Sequence, residues 1–298
     1  MVLVALAPLA LPTAANAQDL EPRAYANTPI GVNFVLAGYS YTTGDVTTDP
    51  SLPLEDAEVR VHNTLFAYAR SFALLGESAK VDVVLPYSWA SGSATFLGVP
   101  QQRDVNGFGD PRFRISVNLY GAPALSLEDF ASYHQDLIVG FSLQTTVPLG
   151  RYDADKLLNI GTNRWSFKPE VGVSKAFGPL IVELAPSATF YTDNDAFLGG
   201  LTRAQDPLFA LQAHVIYSFG RALWGALDGT FYRGGRTNIN GVENDDVQQS
   251  TRLGGTIALS VNRYNSLKLY GSTGLTSTVG GDFSTVGIAW QFRWGGGL

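Results

Sequence analysis

The stretch Phe283-Ser284-Thr285-Val286-Gly287-Ile288-Ala289-Trp290-Gln291-Phe292-Arg293-Trp294 decides the fold. Read two residues at a time, Val286, Ile288, Trp290, Phe292 and Trp294 share one face, and Thr285, Gly287, Ala289, Gln291 and Arg293 share the other. Side chains alternate faces along a strand, so this is a ribbon with one apolar side and one small or polar side. The rings crowd the end of the strand nearest the chain terminus, and rings gathered at one level of an apolar face are what a membrane–water interface selects. A terminal strand of this kind is also the address by which outer-membrane barrels are recognised, which makes the barrel-assembly machinery an expected partner. The tail Gly295-Gly296-Gly297-Leu298 is unusual, because such strands more often stop at the aromatic.

Working outward, the composition agrees. Charged residues are 15% of the 298, against about a quarter in an ordinary globular chain, and there are 32 glycines. No run approaches the roughly 18 apolar residues of a transmembrane helix. With no cysteine, neither a disulfide framework nor a thiolate metal site is available. Residues 2–11 form a short apolar run, Pro12 breaks it, and Ala15-Asn16-Ala17 reads as a cleavage site, so 1–17 is expected to be a signal peptide. It lacks the usual basic start. Residues 18–29 are expected to be a short periplasmic leader, 30–294 the barrel and 295–298 a tail.

Period-two segments recur through the chain. Ile30, Val32, Phe34 and Leu36 are expected to point outward and Asn33 inward. His62, Thr64, Tyr68 and Arg70 share one face of the next segment, and Tyr68 is expected in the lumen. Val81, Val83, Leu85, Tyr87 and Trp89 oppose Asp82, Pro86 and Ser88; Phe113, Ile115, Val117 and Leu119 oppose Arg112, Arg114, Ser116 and Asn118. The pattern continues through 137–147, 164–177, 180–190, 209–219, 223–232, 252–262 and 267–276. With the closing strand this makes about twelve, an even number as single-chain bacterial barrels require, so the expected fold is an all-β, antiparallel transmembrane barrel. A soluble two-sheet protein would carry charge on its outward face; here the charges fall opposite the continuous apolar face.

Connections alternate between short ones (76–78, 178–179, 220–221, 263–265) and long ones (43–58, 91–107, 149–163, 193–206, 234–249). Barrels of this class have short periplasmic turns and long outer loops, which predicts both termini in the periplasm. Segment 122–136 breaks the alternation; Ser126-Leu127-Glu128-Asp129 reads as a helix-capping start and predicts a short periplasmic helix.

The residues expected to line the pore are Arg112, Arg114, Lys168, Glu170, Glu183, His214, Asp228, Arg252, Lys268, Arg293, Tyr232 and Tyr270. Charges facing across a lumen either pair and hold its shape or stay unpaired and set ion selectivity. Because basic side chains outnumber acidic ones there, Arg112 and Arg114 are expected to face open water. The acid of a chain with net charge −6 then sits in loops, as in Asp45, Asp49, Glu55, Asp56 and Glu58. Catalysis is not expected: His62, His134 and His214 stand in no G-x-S-x-G or H-E-x-x-H pattern, and plain wall histidines are the simpler reading. Asp193-Asn194-Asp195 and Asn244-Asp245-Asp246 lack the spacing of a calcium loop, so turn residues are the expectation and no metal or cofactor is.

Three stretches, GFGDPRFRISVNLYG at 107–121, NIGTNRWSFKPE at 159–170 and AWQFRWGGGL at 289–298, resemble the meta-pathway phenol-degradation family of outer-membrane transporter-like proteins. The resemblance runs from about residue 21 to the end. It implies an outer-membrane barrel associated with uptake of aromatic compounds and carries no catalytic residues. The expectation is a narrow passive channel for small aromatic or hydrophobic molecules, in contact with outer-membrane lipid and lipopolysaccharide and with no nucleic-acid partner. The alternatives are a closed structural or adhesive barrel and, more remotely, a membrane-embedded lipid hydrolase. Neither a phosphate-binding loop nor an energy-coupling plug is visible, and the leader looks too short to be one.

Overall fold

The computed structural model describes residues 21–45, 54–156, 158–278 and 282–298; the signal-peptide reading and Asp49 fall outside them. The first three strands are β1 (Val32–Asp45), β2 (Leu54–Leu74) and β3 (Glu77–Phe96). β4 (Val99–Phe108) and β5 (Arg112–Tyr120) share one position in the wall. Next come β6 (Leu137–Thr146), β7 (Ser166–Phe177) and β8 (Leu180–Tyr191). Two short strands, β9 (Asn194–Phe197) and β10 (Leu201–Gln205), precede β11 (Leu208–Ser218) and β12 (Leu223–Gly234). β13 (Thr237–Ile239) and β14 (Val242–Glu243) are also short, and β15 (Gln248–Ser260), β16 (Asn265–Ser277) and β17 (Asp282–Gly295) complete the wall.

Long strands pair antiparallel with their neighbours, and β17 closes on β1 from Val32 opposite Gly295 to Asp45 opposite Asp282. The result is a closed barrel of 12 wall positions. Closure leaves no strand edge unpaired in a medium without water, which is why this topology crosses membranes.

The outer face is a continuous apolar band. On β15 the alternation is sharp: Ile257 is 57% exposed while its neighbour Thr256 is 4%. Rings collect toward the end that carries the short turns. Trp290, Phe292 and Trp294 stack along β17 at 6.2 and 5.7 Å, flanked by Tyr264 (6.4 Å from Phe292) and Tyr68 (6.3 Å from Trp294). Replacing Ile257 by arginine near mid-bilayer is expected to cost about 2–4 kcal/mol. Ile257→Leu should cost almost nothing, and urea unfolding in lipid vesicles reads both.

Two faces differ from expectation. On β1, Val32, Phe34 and Leu36 point inward and are 0–2% exposed, whereas Asn33 and Tyr39 turn outward. On β2 the inward side carries Val59, Val61, Leu65, Ala67 and Ala69, so Tyr68 lies outside the lumen, its hydroxyl donating to Asn33 Oδ1 at 2.8 Å. The physical reason is that this sector of the interior is itself apolar. Alternation gives the period of a strand and leaves open which face is inside.

At the end bearing the short turns, segment 122–136 packs beside the leader and the β2–β3 turn, with the Ile30 N–H donating to Leu125 O and the Ser78 N–H to Ala122 O, both at 2.9 Å. The expected short helix is a single 3₁₀ turn, Asp129–Ser132, and Ser126 Oγ accepts the Asp129 N–H at 3.1 Å. The glycine tail also has a reason. Gly295, Gly296 and Gly297 all have positive φ (81°, 59° and 89°), a run that β-carbon-bearing residues resist. That turn folds Leu298 back against the inward cluster of Val32, Phe34, Leu36 and Leu65.

At the opposite end the wall is interrupted at Gly109-Asp110-Pro111, between β4 and β5, where Pro111 has no N–H to give the ladder. The long loop after β6 fills the interruption. Asp110 accepts the N–H groups of Gly150 and Thr162, both at 2.8 Å, and the Thr162 hydroxyl at 2.7 Å; the Arg151 N–H donates to Phe108 O at 2.8 Å. Two stretches that carry the family resemblance, 107–121 and 159–170, therefore meet in space. Above them β9, β10, β13 and β14 form a separate four-stranded sheet within connections expected to be loops.

Candidate functional site: the barrel lumen

Residues 21–29 turn from the mouth into the barrel and lie against its inner wall. Glu21, Tyr25, Asn27 and Thr28 are 0–7% exposed. The leader, expected to be too short for a plug domain, nevertheless enters the lumen. In a barrel this narrow, where side chains already take much of the interior, nine residues suffice.

The leader is held at several points. The Tyr25 ring lies against Gly140 of β6 and Gly172 of β7, which face each other directly across the two strands. A β-carbon on either glycine would overlap the ring. The Tyr25 hydroxyl donates to Glu170 Oε1 at 3.1 Å and lies 3.2 Å from Ser142 Oγ. Glu183 accepts the Arg23 backbone N–H at 2.6 Å and the Ser174 hydroxyl at 2.8 Å. Lys80 Nζ donates to Ala24 O at 2.6 Å, and Asn27 Nδ2 to Pro123 O at 3.2 Å.

Arg114 ties leader to wall. Asp82 and Arg114 are cross-strand partners on β3 and β5, joined Nε to Oδ2 at 2.9 Å, and the same guanidinium binds Glu21 through Nη1. Burial alone would raise the Glu21 carboxyl, but Arg114, with Lys168 and Lys268 behind it, holds it below its ordinary value. Arg114 does not face open water as expected; it is enclosed between two carboxylates. Arg112 projects to the same side of β5.

The remaining residues expected in the pore lie on inward faces. Lys168 pairs with Glu170 at 3.3 Å, and Gln212 Nε2 donates to the second Glu170 oxygen at 3.4 Å. Glu183, His214 and Asp228 stand in one row across β8, β11 and β12; His214 Nδ1 is 2.7 Å from Asp228, whose other oxygen accepts the Thr256 hydroxyl at 2.9 Å. Arg252 donates to Phe283 O and Ser272 Oγ, both at 3.0 Å, with its guanidinium 3.7 Å from the Phe283 ring centroid. Arg293 Nε donates to Arg263 O at 2.7 Å; Tyr232 is 1% exposed, Lys268 sits on β16, and the Tyr270 ring lies on Gly287 of β17.

The interior thus has two sides. The β5–β8, β11 and β12 sector is polar, charged and covered by the leader. The other side carries an apolar cluster centred on β1 and β2: Val32, Phe34, Leu36, Leu65, Ala67, Ala69, Val84 and Ala289, with Tyr270 and Leu298 against it. Sequence reasoning missed this apolar sector. The signal for it was the polar set His62, Thr64 and Arg70 on the other face of β2.

The histidines take ordinary partners. His62 lies on the outer face with Nδ1 2.6 Å from the Tyr39 hydroxyl, and His134 Nδ1 is 2.9 Å from Ser132 O. Among the described residues no group of three acidic or imidazole side chains is placed to hold a metal.

Residues 37–292 match the family described as "Putative MetA-pathway of phenol degradation". The chain belongs to that family. Among solved structures similar to this family member is the COG4313 outer membrane channel from Pseudomonas putida F1. The TM-score is 0.76 at 19% identity, over 92% of this chain and 99% of that one. The β domain of the Bordetella autotransporter BrkA is also similar, with a TM-score of 0.50 at 9% identity, over 89% of this chain and 100% of that one. At these identities the likeness is one of fold. The curated proteins contain no match.

Proposed function

We propose that this protein is an outer-membrane channel for passive uptake of small aromatic or hydrophobic molecules. The observation that carries the reading is the apolar cluster on the inner faces of β1 and β2, because the interior of a hydrophilic porin is polar. A flat apolar solute finds there a wall of Phe34, Leu36, Leu65 and Tyr270 and gives up little hydration to enter. The family's name and the Pseudomonas putida channel of the same fold support the same reading. The short-turn end, with the leader and the C-terminal tail, is the periplasmic one, and the long loops face lipopolysaccharide. The last strand is what the barrel-assembly machinery engages. Lys168, Glu170, Glu183, His214, Asp228, Arg252, Lys268, Arg293, Tyr232 and Tyr270 line the passage or hold the leader beside it.

The docked leader favours a second reading, a permanently closed structural barrel. Uptake of a labelled aromatic hydrocarbon by cells with intact lipopolysaccharide separates the two. Cells carrying the protein are expected to take it up faster than cells without it. Leu36→Glu, which puts a charge on the apolar wall, is expected to remove the gain while the protein keeps its heat-modifiable mobility. Equal uptake with and without the protein would leave only the closed barrel.

A further inference from the structure

At the short-turn end a cavity of about 490 Å³ opens between the leader, segment 122–136 and the turns that follow β7 and β11. That volume is within the range of sites for small ligands, roughly 300–1,000 Å³. One wall is aromatic: Phe130 and Tyr133 stack at 5.4 Å, and Trp224 stands across from them with Ile181 and Leu223. The Tyr133 hydroxyl is committed to Gly121 O at 2.7 Å, and burial pushes its phenol up to about 12, so it stays a neutral donor.

The polar groups of the cavity are unbalanced. Trp224 is 4% exposed, yet among the described residues its indole N–H has no acceptor, and the buried Arg23 Nε–H has none either. The Arg23 guanidinium lies over the Trp224 ring, 5.2 Å from its centroid, so both side chains belong to the same wall of the cavity. Arg221 and His134 stand exposed at the rim, and among the described residues no aspartate or glutamate lines the cavity. Behind Arg23, Glu183 is occupied by the Arg23 backbone N–H and the Ser174 hydroxyl. Buried donors with no acceptor cost free energy, and here the missing partner is an acceptor with negative charge.

We propose that this cavity is a binding site for an aromatic monocarboxylate, its ring against Phe130 and Trp224 and its carboxylate on Arg23 Nε and Trp224 Nε1. Its existence does not depend on the channel reading. Its role as the station where an aromatic acid pauses on the periplasmic side does rest on that reading.

The test is calorimetric titration of the full, detergent-solubilised protein with sodium benzoate, benzyl alcohol and sodium acetate. Benzoate is expected to bind at least about tenfold more tightly than benzyl alcohol, since a charge-assisted hydrogen bond replaces a neutral one. Acetate should bind more weakly still, for want of a ring. Arg23→Gln, which keeps the backbone N–H to Glu183, should weaken benzoate about tenfold and leave benzyl alcohol unchanged; Trp224→Phe, which keeps a ring, should weaken benzoate alone. If Arg23→Gln loses its heat-modifiable fold, Trp224→Phe carries the test. Equal binding of benzoate and benzyl alcohol, or benzoate binding unmoved in the variants, would overturn the site, because partition into detergent then explains the heat. Acetate binding as tightly as benzoate would overturn the aromatic half. Cellular uptake of hydrocarbon is read separately, so failure of the channel leaves this binding result intact.

Discussion

Replacing Gly172 by leucine is expected to drive the Tyr25 ring off the wall and raise the ionic conductance of the barrel in a planar bilayer. Gly140 and Gly172 make the flat seat on which the ring rests, and a leucine side chain occupies the ring's own volume. Forcing extra carbons into a packed site costs about 1–3 kcal/mol. Losing the hydrogen bond from Tyr25 to Glu170 adds about 1 kcal/mol. Together these lower the ratio of docked to undocked leader by about three orders of magnitude at the upper end. Heat-modifiable mobility should be kept, since the β6–β7 ladder itself is untouched. Conductance equal to wild type in a correctly folded variant would mean that the leader does not restrict the passage.

Arg114→Ala is expected to give the largest loss of stability of any single change in the interior. It leaves Asp82 and Glu21 buried side by side without their shared cation, and breaking a buried pair in this way costs about 3–5 kcal/mol. Replacing all three charged groups by apolar residues of similar size, Arg114→Met with Asp82→Leu and Glu21→Leu, should recover most of that, because the desolvation penalty goes with the charges. Unfolding by urea in vesicles measures both variants. A mere change of reversal potential, with unaltered stability in Arg114→Ala, would restore the picture of an arginine facing open pore water.

The sequence carried the barrel plainly because its period is 2 and its chemistry is sharp, as in Val286, Ile288 and Trp290 against Thr285, Gly287 and Ala289 on β17. It was misleading on β1 and β2. There the inner face is the apolar one, on β2 opposite an outer face that carries His62, Thr64 and Arg70, and the single polar Asn33 suggested the wrong side for Phe34 and Leu36. The partners of the inward charges were not readable either. Arg114 meets Asp82 only through the register of β3 with β5, and Glu21 only because the leader turns inward. Those pairings span 32 and 93 residues, distances over which local pattern says nothing. The glycines told more than their spacing suggested: those at 295–297 turn the tail, and Gly140 and Gly172 make room for a ring from the other end of the barrel's chain.

The seating of Tyr25 also has a consequence for concentration. A ligand attached by a short flexible link meets its site as though present at about millimolar levels, whatever the surrounding solution holds. Residues 21–29 are such a ligand, joined directly to the first strand. In a channel, a diffusing solute that needs the same space competes with an occupant that can be displaced but never diluted. The weakness of the leader's own grip, more than the affinity of any solute, would then set the external concentration at which flow begins.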